Sequence, residues 1–250
     1  MAYRHGTIVW RELVTGDAEA VEKFYTSVFN WKISSVPIQC GTYRLIEVGG
    51  VQIAGIFQMP PEMSIPTHWN PYISVSDVDA TTELAKALGA KIPMGPTDIA
   101  NVGRLATVLP PTGGAITLFK SDKGDQNRGR PTLGEFCWEQ LNASSVRNDK
   151  AFYGQLLGWK TERIDDSEIE IFVGPDGGVA SLVPAPPGIR SHWLSQIVVE
   201  NLTEARKRIT DAGGNVLVEQ IDVPKLGAFG VVQDPQGATF CVFESVETLV

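Results

Sequence analysis

Apolar residues recur along this chain at two different spacings, and the change from one to the other marks its elements. The stretch TIVWRELVT, residues 7–15, is rich in β-branched and apolar residues and predicts a strand. Asp17 then stands where a helix cap would. After it, Val21, Phe24, Tyr25 and Val28 fall at helical spacing and form an apolar stripe. A strand is expected over Lys32–Val36. TYRLIEV and VQIAGIFQ follow as two strand-like runs, and the Gly49-Gly50 pair between them predicts a hairpin. The order is strand, helix, three strands.

The same order restarts at His68. PYISVSD reads as a strand ending at a second cap, Asp77, and VDATTELAKALG as a helix closed by Gly89. AKIPMGPTDI, GRLATVLP and AITLFKS supply three more strands, with Pro110-Pro111 and Gly113-Gly114 in a turn. One half of the chain thus holds two βαβββ repeats. The other half copies them. Trp10, Leu13, Phe24, Tyr25, Trp31 and Lys32 recur at one constant spacing as Trp138, Leu141, Phe152, Tyr153, Trp159 and Lys160. A second constant spacing relates Trp69, Ile73, Gly89, Gly103, Pro111 and Phe119 to Trp193, Ile197, Gly213, Gly227, Pro235 and Phe243. The spacings differ because the second copy is shorter between Trp159 and His192, where surface loops tolerate loss. Its cap candidates are Ser145 and Asn201, and its terminators Gly158 and Gly213.

Composition adds limits to this picture. At 250 residues, 43% hydrophobic and 20% charged, the chain is long enough for two cores. The polar run SDKGDQNRGRPTLGE, residues 121–135, reads as a linker between a first domain, 1–120, and a second, 136–250. A net charge of −8 repels phosphate backbones, so no nucleic-acid partner is expected. No apolar run approaches the roughly 20 residues of a membrane helix, so no membrane partner is expected either. There is no signal-like apolar core near the N-terminus. Cys40, Cys137 and Cys241 make no disulfide framework and read as reduced, mostly buried thiols of a cytoplasmic protein. Two repeats can close a cup without a partner chain, so a monomer is the simplest state, with a homodimer open.

Asp17 with FYTSVFNW, and GVVQDPQGATFCVFE near the end, resemble the vicinal oxygen chelate superfamily, which includes glyoxalase I, extradiol dioxygenases and bleomycin resistance proteins. The resemblance is to its tandem two-domain bacterial members and covers roughly residues 5–246. It implies an α+β fold: four βαβββ units forming two cupped mixed β-sheets with helices outside.

Strand alternation then sorts residues between the two faces. Val9 and Leu13 suit the helix side, and Trp10, Glu12 and Val14 the cup. Trp138, Gln140 and Asn142 match them in the third repeat. Trp69, Ile73 and Val75 face the helix, leaving Asn70, Tyr72 and Ser74 for the cup. Trp193, Ile197 and Val199 face the helix, with His192, Leu194 and Gln196 inward. On the closing strands, Lys120 and Glu244 are expected at matching cup positions, with Leu118 and Val242 beside them. The ligand-binding candidates are therefore Trp10, Glu12, Asn70, Tyr72 and Lys120 in one cup, and Trp138, Gln140, Gln196 and Glu244 in the other.

Metal-using members of the superfamily hold a divalent ion with His, Gln and Glu. The resemblance puts ligand histidines at Trp10, Asn70, Trp138 and Leu194, none a good ligand, and the closing carboxylate at Glu244 and Lys120. An ammonium opposes a cation, so no metal is expected in the first half. In the second half Glu244 with Gln140, Gln196 or His192 is the one donor set a divalent metal could use. His68 matches His192, which also suits both histidines to holding the start of a strand by hydrogen bonds. Glu12 and Lys120 read either as a polar anchor or acid/base pair for a ligand, or as a salt bridge in a vacated site. Trp10 and Trp138 read as flat pocket walls or as core. The function expected is binding of a small aromatic or oxygen-rich molecule, with catalysis left open and no resident cofactor. The alternatives are a metal-dependent lyase, isomerase or extradiol-type dioxygenase around Glu244, and a tandem module without chemistry.

Overall fold

The structure, a computed structural model, describes residues 3–38, 41–126, 129–164 and 169–246. The first repeat is β1 (Ile8–Thr15), α1 (Ala18–Phe29), β2 (Lys32–Ile38), β3 (Gly41–Val48) and β4 (Val51–Gln58). The second is β5 (His68–Ser74), α2 (Val78–Ala87), β6 (Lys91–Ile99), β7 (Gly103–Leu109) and β8 (Ile116–Ser121). The third is β9 (Phe136–Ala143), α3 (Val146–Leu157), β10 (Lys160–Arg163), β11 (Glu170–Gly174) and β12 (Gly177–Pro184). The fourth is β13 (His192–Val199), α4 (Leu202–Asp211), β14 (Asn215–Val223), β15 (Gly227–Gln233) and β16 (Thr239–Ser245). All four repeats are βαβββ, as the periodicity requires.

Each helix begins where its cap residue predicts. Asp17 accepts a hydrogen bond from the Ala20 amide at 3.0 Å and Asp77 from Ala80 at 2.9 Å. Ser145 and Asn201 do the same for Asn148 and Glu204. Gly158 closes α3 at φ 71°. At the equivalent place α1 ends on Asn30, at φ 54°, the residue after glycine best able to hold that conformation.

The strands form two eight-stranded mixed sheets, ordered β2-β3-β4-β1-β5-β8-β7-β6 and β10-β11-β12-β9-β13-β16-β15-β14. The second order repeats the first, so the duplication in sequence is a duplication in topology. Within each repeat the first strand pairs in parallel with the last, and the hairpins pair antiparallel.

Compactness divides the chain differently from the sheets. One compact unit draws on residues 1–10, 70–127 and 139–193, the other on 11–69, 128–138 and 194–250. The first holds the second and third repeats, where α2 packs on α3. Its core joins Ile73, Val78 and Leu118 to Leu141, Tyr153, Trp159 and Phe172. The second holds the first and fourth repeats, where α1 packs on α4. Its core joins Leu13, Phe24, Tyr25 and Trp69 to Ile197, Leu202, Ile209 and Phe240. Each core is therefore built from both halves of the duplicated sequence.

The indoles show this exchange most directly. In one unit Trp159 Nε1 donates to the Gly6 carbonyl at 2.9 Å, and in the other Trp31 Nε1 donates to the Gly134 carbonyl at 2.8 Å. Gly6 has φ 84°, and a Cβ there would stand 2.8 Å from Trp159 Nε1. Both the backbone and the close indole call for glycine.

Candidate functional site

Register assigns every strand residue to a face, because paired residues on neighbouring strands point the same way. Leu13 pairs with Ile56, Ile73 with Leu118, Leu141 with Leu182, and Ile197 with Val242; all eight lie in the helix-side cores. The alternate positions form the helix-free faces. These carry Glu12 opposite Gly55, Tyr72 opposite Thr117, Gln140 opposite Ser181, and Gln196 opposite Cys241.

Of the candidate residues, register puts Glu12, Tyr72, Gln140 and Gln196 on these faces. Asn70 is buried, and its Nδ2 donates to Thr117 Oγ1 at 2.7 Å. The Tyr72 ring meets Phe119 edge-on at 5.8 Å between centroids. These four residues form one cluster on the helix-free face of the second repeat. Gln196 is also buried, among Leu194, Phe229, Cys241 and Phe243, so this part of the fourth repeat is largely apolar. Glu12 sits beside Gly55, over which the Tyr43 phenol lies so closely that a Cβ at Gly55 would collide with it. Trp10 and Trp138 are half-buried.

Lys120 and Glu244 are different, and here the structure corrects the sequence reading. Both sit on the helix side. Lys120 pairs with Arg104, whose guanidinium holds Asp79 in the first turn of α2 through bonds of 2.7 and 2.8 Å. The Lys120 ammonium lies over the Tyr3 ring, 5.3 Å from its centroid. Glu244 pairs with Val199, a core residue. Its Oε2 accepts the Leu202 amide at 2.7 Å, the first amide of α4, so the carboxylate serves the helix terminus. The closing strands carry apolar residues at successive positions, as in Leu118 and Phe119 and in Phe240 to Phe243, which hides their parity in sequence. The residues they turn to the helix-free face are Thr117 and Phe119, and Cys241 and Phe243.

His68 and His192 hold strand starts. His68 Nδ1 donates to the Pro66 carbonyl at 2.8 Å, and His192 Nδ1 to the Arg190 carbonyl at 2.9 Å. Burial pulls the His68 pKa below its ordinary value. In the second half a polar row extends from the ring. Asn142 Nδ2 lies 3.1 Å from His192 Nε2, and Gln140 Nε2 donates to Asn142 Oδ1 at 2.9 Å. Glu12 and Val14 hold the equivalent places in the first half. The part played by Asn142 is invisible in sequence, since it depends on the ring across the sheet.

The donors available do not make a metal site of the kind expected. Glu244 faces the helix while Gln140 and Gln196 face away from it, and both His192 nitrogens are engaged. Among the described residues no group of three His, Cys, Asp or Glu side chains could hold a metal ion. Of the cysteines, Cys241 is buried and Cys137 half-buried; Cys40 lies outside the described residues. No described helix is long and apolar enough to cross a membrane.

Comparison with known proteins agrees with this architecture. A family model described as the Glyoxalase/Bleomycin resistance protein/Dioxygenase superfamily matches residues 7–118, and one described as a Glyoxalase-like domain matches 140–243. CFP32 of Mycobacterium tuberculosis, provisionally named a glyoxylase, is 32% identical over 97% of this chain and 96% of its own. The chain belongs to the glyoxalase/bleomycin resistance protein/dioxygenase superfamily. Within that vicinal oxygen chelate superfamily it is also similar to DnrV of Streptomyces peucetius, named an anthracycline biosynthesis protein, at 26% identity over 96% of this chain and 93% of that protein. Two solved structures share the fold. The Mn(II)-bound glyoxalase from Novosphingobium aromaticivorans has a TM-score of 0.65 at 14% identity, covering 98% of this chain and 84% of its own. The 2,3-dioxygenase LapB from Pseudomonas sp. KL28 has a TM-score of 0.66 at 12% identity, covering 98% and 94%.

Proposed function

We propose that this superfamily member binds a small aromatic or oxygen-rich molecule on the helix-free faces of its sheets, without a resident metal. The observation that carries the reading is the row Gln140–Asn142–His192. Its polar side chains are ordered by one another on a face no helix covers, with Gln140 and His192 half-buried. Side chains so placed can meet a ligand with little further loss of rotamer freedom. Asn70 and Tyr72 in the second repeat, and Glu12 and Gln196 in the others, are the further contacts proposed. Trp10 and Trp138 are the proposed flat walls. A relative named for anthracycline biosynthesis supports an aromatic ligand, since anthracyclines are planar, oxygenated polycycles.

The alternative is a metal-dependent lyase, isomerase or dioxygenase, which the glyoxalase and dioxygenase neighbours bring to mind. It would need ligands other than the set around Glu244, whose carboxylate is spent on α4.

The test is calorimetric and NMR titration of the metal-stripped protein with 2-naphthol, catechol and 1,2-dihydroxyanthraquinone. Saturable binding of at least one, weakened by Trp138→Ala, is expected. Absence of saturable binding for all three, together with metal-restored binding or turnover, would overturn the reading in favour of the metal-dependent one.

A further inference from the structure

We infer that Gln140 presents its carbonyl oxygen, Oε1, to the bound molecule, so that the second half selects ligands carrying a neutral hydrogen-bond donor such as a phenolic hydroxyl. This rests on the reading that the helix-free faces bind ligand. The argument runs along the row from its fixed end. The Arg190 carbonyl can only accept, so the His192 Nδ1 2.9 Å away carries the proton. In the neutral ring Nε2 is then an acceptor. Asn142, 3.1 Å from that nitrogen, turns its NH2 towards it and leaves Oδ1 for Gln140. Gln140, 2.9 Å from Oδ1, must answer with its own NH2. Its one acceptor, Oε1, is then held in a fixed place turned away from Asn142, with the second N–H beside it.

Both amide orientations are thus set by one backbone carbonyl at the end of the row. An unaided glutamine rotates its amide and exchanges the places of Oε1 and Nε2; here each is held in its place. Selectivity follows at that place, because a ligand that brings a lone pair rather than a donor to Oε1 leaves it unanswered, and the amide cannot turn to offer its N–H there instead. The first half has no such device. Val14 stands where Asn142 does and breaks the row, and Glu12 stands where Gln140 does. The two halves therefore differ in what they recognise although their sheets share one topology.

Asn142 acts here as a positioning residue, and its test must read selectivity as well as affinity. The probes are 2-naphthol and its methyl ether, 2-methoxynaphthalene, which differ in one donor. Both are titrated into the full chain by calorimetry, with NMR shifts reporting the site, for the wild type, Asn142→Val, Asn142→Asp and Gln140→Leu. Valine is the residue the first half already carries at this place, so the fold accommodates it. The wild type should prefer naphthol by about fivefold, the scale of one hydrogen bond. Asn142→Val frees the Gln140 amide, and Gln140→Leu removes it; both should bring the ratio towards one. Asn142→Asp still accepts from Gln140 and should keep the preference. If the wild type binds both probes and Asn142→Val leaves the ratio unchanged, the inference falls while the proposed function stands. Binding of neither probe removes the inference, and saturable binding of no tested aromatic removes the proposed function with it.

Discussion

At the scale of single residues, the two halves differ most where polar groups are buried. Asp149 in α3 is fully buried, at the place where α1 has Val21. It accepts hydrogen bonds from Thr112 Oγ1 at 2.5 Å and Ser191 Oγ at 2.8 Å. Burial raises its pKa above the ordinary carboxylate value, and these hydroxyls oppose the shift without cancelling it. The folded state thus binds the proton more tightly than the unfolded chain. That contribution to stability is complete below the ordinary carboxylate pKa and is lost as pH rises through the folded value. Asp149→Asn removes the titration. The wild type should therefore gain on this variant as pH falls from about 7 to about 4, read as a widening difference in urea midpoint in its favour. A difference that stays level would show that Asp149 does not titrate there. Periodicity makes Asp149 a plain helical position in sequence, since a buried carboxylate is defined by the hydroxyls that reach it.

At the scale of elements, helix positions and caps were legible in the chain because both depend on neighbours within a turn. Asp17, Asp77, Ser145 and Asn201 each cap the helix they precede. The closing strands were less legible. Their apolar residues fall on both faces, so alternation gave Lys120 and Glu244 to the wrong one. The structure makes Glu244 part of the α4 terminus, next to the Asn201 cap. Replacing it with alanine removes an anionic acceptor from the first turn, and about 1 kcal/mol of stability should be lost. Glu244→Gln should lose less, since an amide oxygen still accepts. Chemical denaturation of the three proteins measures this. Divalent-metal titration, run in parallel, should give the same isotherm for wild type and Glu244→Ala. A metal site that vanishes with Glu244 would return the carboxylate to a ligand role.

At the scale of the whole molecule, the duplicated halves are not the compact units. The stripe of α1 meets Ile197, Leu202 and Phe240 from the other half, and Trp31 needs the Gly134 carbonyl. Each fully buried apolar side chain contributes roughly 1.5–3 kcal/mol, and the net stability of a domain is about 5–15 kcal/mol. A fragment of residues 1–125 loses several such partners at once. Alone it should show no cooperative thermal transition, and mixing it with residues 126–250 should restore one. Calorimetry of the two fragments, separate and combined, checks this. A cooperative transition in either fragment alone would show that a half carries a sufficient core of its own.

The chain by itself determined the kind and order of its elements, its caps and its duplication. Those depend on residues close in sequence or on sequence compared with itself. Only the tertiary structure decided which helices share a core, which way the closing strands turn, and that Gln140, Asn142 and His192 form one row. An apolar stripe demands burial without naming its partner, and a polar side chain carries no mark of the group that will orient it.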